Sequence, residues 1–134
     1  MEYLIAHIGH TGRHHEHVTW WKPDSCGYTI CVDMAGRYSA DEAASICRYG
    51  SCIAVRVQDV EPLARSTPYY RLSNGTLGKL YDGGPHRPAP NSRGCWEALM
   101  KLRTYPPQEI KTEKPTPIGA KARAIYIDGV PQAA

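Results

Sequence analysis

Two tryptophans side by side, Trp20 and Trp21, constrain this chain more than any other feature. The residues Val18-Thr19-Trp20-Trp21 have strand composition, and successive side chains on a strand leave on opposite faces. The two indoles therefore point to opposite sides: one enters the core, and the other stays near the surface beside its hairpin partner. Lys22-Pro23-Asp24-Ser25-Cys26-Gly27 is a reversal, because Pro23 presets φ and Gly27 permits φ > 0. Residues 28–34 then read as the returning strand, which makes 18–34 a hairpin with a longer loop.

The rest of the chain supplies partners for that hairpin. Residues 2–8 are short, apolar and followed by glycine, as in a buried first strand. In 39–50, Ser39 caps a helix, Glu42 three residues later completes a capping box, and Gly50 stops it; Ala43, Ile46 and Cys47 form its buried stripe. Residues 52–57 are a β-branched strand, and 58–65 a single helical turn capped by Asp59, with Pro62 tolerated early. Asn74-Gly75 between alternating flanks marks a hairpin over 69–81. Three prolines and two glycines make 82–92 a loop. An amphipathic helix follows over 91–103, capped by Asn91 or Ser92, with Cys95, Trp96, Leu99 and Leu102 inward. Residues 104–117 form an extended Pro- and Lys-rich segment, and 120–130 a late strand. The expected fold is a small single α+β domain over 1–130, an antiparallel-rich sheet of hairpins with two main helices, and a frayed tail at 131–134.

Composition narrows the function classes. A net charge of +3 is too small for a concentrated nucleic-acid patch and has the wrong sign for an acidic mimic of DNA. The chain has nine tyrosines, three tryptophans and no phenylalanine, so its aromatic groups carry polar handles suited to a wet boundary. The start lacks the basic region and long apolar run of a signal peptide, and no stretch is long enough to span a bilayer. Five cysteines, an odd number, fit a reducing compartment; the expected location is cytoplasmic. Asn74-Gly75-Thr76 matches a glycosylation sequon and is read there as a turn.

The chemistry-bearing residues concentrate in 7–31. Zinc takes tetrahedral nitrogen and sulfur ligands, and His15, His17, Cys26 and Cys31 could meet across the hairpin. The C-x4-C spacing, repeated by Cys47 and Cys52, is not the tight C-x2-C knuckle, so packed free thiols are preferred and neither metal nor cofactor is expected. Asp24, Asp33 or Asp82 could orient a histidine, but no nucleophile–base set, Walker loop, G-x-S-x-G or H-E-x-x-H is present, and catalysis is not expected. What remains is a surface for binding. His14, His15, His17, Trp20, Trp21 and Lys22 form an aromatic, weakly basic group able to anchor a protein or stack a base. His86 and Arg87 sit in a basic loop before a helix start that could hold an anion, or could be ordinary solvated loop.

Trp20, Trp21, Pro23, Asp24, Gly27, Tyr28 and Thr29, followed by Ala35, Gly36, Tyr38 and Glu42, match a pattern W-[WR]-x-P-[DN]-x-x-G-Y-[TC] … A-G-x-Y with an acidic helix start. It resembles small proteins encoded by phages and prophages of Gram-negative bacteria, over about the first third of the chain; the ending at 116–127 has a similar look. The resemblance implies context rather than chemistry. Such accessory proteins often bind host machinery, so the expectation is a stoichiometric anti-defence inhibitor, for example an anti-CRISPR, in the cytoplasm of the infected host and with a host defence complex as partner. Nucleic-acid binding is the secondary expectation.

Overall fold

The computed structural model describes residues 1–8, 11, 17–48, 51–65, 69–72, 74–79, 87–107 and 125–127. The strands β1 (Tyr3–His7), β2 (Trp20–Trp21), β3 (Tyr28–Thr29) and β4 (Cys52–Arg56) form one sheet in the order β3-β2-β1-β4. Every pairing is antiparallel; β1 sets Leu4 against Val55 and His7 against Cys52, and Trp20 lies opposite both Ala6 and Thr29. β1 and β4 are apolar runs because both faces of the sheet are covered.

The helices are α1 (Ala40–Ile46), the single turn α2 (Val57–Val60) and α3 (Arg93–Leu102). Strand alternation sends Leu4, Ala6, Trp20, Ile53 and Val55 to one face, where they pack with Trp96 and Leu99 of α3. Tyr3, Ile5, Cys52 and Ala54 go to the other, against Ala43 of α1, Cys47 at its C-terminal cap, and Tyr38. The α+β class and the two main helices are as the sequence reads.

Local signals were followed where they were strong. Ser39 Oγ accepts from Glu42 N–H at 3.3 Å while Ser39 N–H donates to Glu42 Oε1 at 3.1 Å, the expected capping box. Ser92 caps α3 by accepting from Cys95 N–H at 3.2 Å. Asn91, the other candidate cap, is buried and accepts from Trp96 Nε1 at 2.6 Å. Leu102 is a correction: it is exposed in the last turn of α3, and Met100 packs against the core instead. Asp59 does not cap either, since α2 begins at Val57 and Asp59 lies inside its first turn.

The returning strand of the first hairpin is shorter than 28–34. It stops at Thr29, whose Oγ1 accepts from Cys31 N–H at 3.1 Å, and Val32–Met34 is a 3-10 turn. Such side-chain to backbone bonds compete with the sheet ladder.

A second sheet joins β5 (Tyr69–Arg71), β6 (Leu77–Lys79) and β7 (Ile125–Ile127) in the order β6-β5-β7. The Asn74-Gly75 hairpin forms, with Gly75 at φ 87° and its N–H donating to Leu72 O at 2.9 Å. The late strand expected over 120–130 is described at 125–127 as β7. His17 lies edge-on to Tyr70 of β5, ring centroids 4.8 Å apart, and so links the two sheets.

Residues 87–91 are irregular, as expected, but they are not a solvated loop. Pro88 and Ala89 are buried, and three consecutive carbonyls are taken: Arg87 O by Val32 N–H, Pro88 O by Arg65 N–H and Ala89 O by Val18 N–H, at 2.8–2.9 Å. Farther on, Thr104 and Tyr105 pair with Ala54 and cover the outer edge of β4. Residues 108–117 and the tail 131–134 lie outside the described residues. Among the described residues no helix is long and apolar enough to cross a membrane.

Candidate partner-binding surface

The two halves of the Trp20–Thr29 and Ala35–Tyr38 pattern fold onto one another. Gly36 N–H donates to Trp21 O at 2.8 Å, and Tyr38 exchanges backbone bonds with Tyr3 at 2.9 Å each. The buried Tyr38 side chain reaches under the turn, donating its hydroxyl hydrogen to Lys22 O and accepting from Ser25 N–H at 3.1 Å. A Cβ on Gly36 would come within 2.8 Å of the Pro23 backbone, so only glycine allows this approach. Pro23-Asp-x-x-Gly27 and Ala35-Gly36-x-Tyr38 are thus one packed corner, in which folding explains Gly36 and Tyr38.

That corner carries a patch of rings. Trp21 lies 4.7 Å from Tyr28 and 5.7 Å from His7 between centroids, and His7 stands edge-on to Tyr28 at 5.2 Å. All three are half-buried, as is the adjoining Lys22, while Pro23, Asp24, Ser25 and Cys26 are exposed. Trp21 Nε1 donates to Cys52 Sγ at 3.3 Å, which fixes the indole from below.

Of the candidate partner-binding residues, Trp21 and Lys22 are on this surface. Trp20 and His17 present none: Trp20 is 0% exposed in the core beside α3, and His17 is 3% exposed between Tyr70 and Pro90. Arg87 is also corrected, because its guanidinium is used internally. Its Nε and one terminal nitrogen donate to Asp33 at 2.6–3.0 Å, and both terminal nitrogens to Glu61. His14, His15 and His86 lie outside the described residues.

His7 and Tyr28 were missed as surface residues. The available signal was parity: His7 shares a face of its strand with Tyr3 and Ile5, and Tyr28 is the hairpin neighbour of Trp21.

Three buried thiols, Cys47, Cys52 and Cys95, are not primed for chemistry. Burial pushes Cys47 and Cys95 up to about 12, with the neighbouring Cys52 adding to the effect at Cys47. Burial likewise raises Cys52, against the hydrogen bonds from Trp21 and Ser51. A thiolate is the reactive form, so these three buried thiols are poor nucleophiles. Among the described residues no three His, Cys, Asp or Glu side chains gather as a metal site would require. The chain matches no protein-family model, no curated protein and no solved structure.

Proposed function

We propose that this chain is a phage accessory protein that binds a host defence protein complex stoichiometrically, a CRISPR effector being the leading type of target, and acts by occlusion rather than by catalysis. The observation that carries the reading is the half-buried Trp21–Tyr28–His7 patch beside Lys22. Rings held rigidly at a wet surface offer large contact area with little side-chain entropy left to lose, as interface hot spots do. The resemblance of the corner sequence to phage proteins supplies the context, and the weak net charge of +3 fits a protein surface better than a polyanion.

The test is phage plating on cells that carry single defined defence systems, with and without this protein expressed. The expected result is restored plating in at least one system, and a stable complex with that system's purified effector. Trp21→Ala should weaken the complex at least tenfold, the usual scale of a truncated aromatic anchor. No protection in any system overturns the reading. Affinity that collapses with rising salt and follows added nucleic acid instead of the effector would also count against it.

A further inference from the structure

Two of the buried thiols share one side of the sheet. Cys47 is the C-terminal cap of α1, and Cys52 opens β4 a few residues later. Both side chains enter the same buried cluster, with Tyr3, Ile5, Tyr38 and Ala43, and both are free thiols. Cys52 raises the Cys47 thiol electrostatically, as a neighbouring group in a low-dielectric interior does. Cys95 lies in the other cluster, on the opposite face.

Cys52 also supports the ring patch from below. Its Sγ accepts the Trp21 Nε1 hydrogen at 3.3 Å, with Ser51 Oγ at 4.0 Å, and its direct cross-strand partner is His7. A disulfide fixes its sulfurs close together at a set dihedral, so a bonded Cys52 Sγ would turn from Trp21 toward Cys47.

We propose that Cys47 and Cys52 are a peroxide-sensitive pair whose oxidation to a disulfide takes the Cys52 acceptor away from Trp21 and loosens the ring patch. The peroxide O–O bond breaks as the Cys52 sulfur takes one oxygen, giving a sulfenic acid and one water. The Cys47 sulfur then displaces that oxygen as a second water and forms the S–S bond. The two thiol hydrogens and two electrons pass to the peroxide. Burial makes the first step slow and bars bulky oxidants. Cys52 reacts first because Trp21 and Ser51 direct hydrogens at its sulfur. The second thiol gives the sulfenic acid an exit that a solitary buried cysteine lacks. The pair belongs to the chain alone, so its chemistry is independent of which partner the patch binds.

The test treats the full chain with hydrogen peroxide in the Cys26→Ser background, which removes the exposed thiol. The tryptic peptides ending at Arg48 and Arg56 should be recovered joined, about 2 Da lighter than their sum, and a reducing agent should separate them. The Trp21 indole N–H resonance should move on oxidation, while that of Trp96, which donates to Asn91 at 2.6 Å, stays in place. Cys47→Ala should abolish the peroxide-dependent movement, and Cys52→Ala should displace the Trp21 signal without peroxide. Thiols that stay reduced, an oxygenated Cys52 with no link to Cys47, a link to another cysteine, or a Trp21 signal indifferent to the link each overturns the proposal. The peptide map of Cys26→Ser decides even where an alanine variant fails to fold.

Discussion

Ser25, at φ 55°, lacks the side-chain amide or carboxylate that most often makes the left-handed region tolerable. Glycine there has no Cβ to crowd the following carbonyl, and the backbone bond from residue 25 N–H to the Tyr38 hydroxyl is kept. Ser25→Gly should therefore raise stability by about 1 kcal/mol, seen as a Tm higher by a few degrees; a lower Tm would show that the serine side chain supports the turn. Gly27, at φ 100°, is the converse case, since glycine already occupies the position that needs it. The sequence made Gly27 legible and left Ser25 silent. Nothing in Asp24-Ser25 says that the turn is left-handed until Tyr38 and Gly36 are placed under it.

At the scale of elements, agreement follows the range of the interaction. The capping box of α1 depends on two residues three apart, so it could be read without any knowledge of the fold. Ser39→Ala removes the acceptor of Glu42 N–H and should cost about 1 kcal/mol; urea unfolding should show a lower midpoint with an unchanged slope. α3 is likewise legible in its period and cap, but not in its far end. Leu102 repeats the azimuth of Cys95 two turns on and is nonetheless exposed, because periodicity gives direction and only the facing surface gives burial. The returning strand beyond Thr29 failed for a related reason. Its β-branched composition is genuine, yet Val32 N–H finds a better acceptor in Arg87 O.

For the whole molecule, the segment 87–91 is the link that local reading could not supply. Its carbonyls bind Val18, Val32 and Arg65, and Arg87 joins Asp33 and Glu61, which lie 54 and 26 residues away. The Arg87 guanidinium holds Glu61 below its ordinary value of 4.5, chiefly by hydrogen bonding. A carboxylate whose folded pKa is depressed contributes stability above the unfolded pKa and loses it as pH falls through the folded one. Stability should thus decline as pH falls below about 4.5, and Glu61→Gln, which cannot titrate, should show a shallower decline on that acid side in thermal melts; equal slopes would detach Glu61 from the acid response. The effect will be small, since the Glu61 side chain is 40% exposed and solvent screens the pair.

By itself the sequence determined that this is a small α+β domain, that Trp20 and Trp21 face opposite ways, and where turns and caps interrupt the chain. Those conclusions rest on strand parity, glycine and proline geometry and neighbours within four residues, all of which are local. Only the tertiary structure decided which tryptophan is core and which is surface, because that depends on the face α3 covers. It alone buried His17, committed the Arg87 guanidinium to Asp33 and Glu61, and brought His7 and Tyr28 to Trp21. Contacts between residues distant in sequence are selected by packing and by the need to pair buried polar groups, and no local pattern encodes the choice.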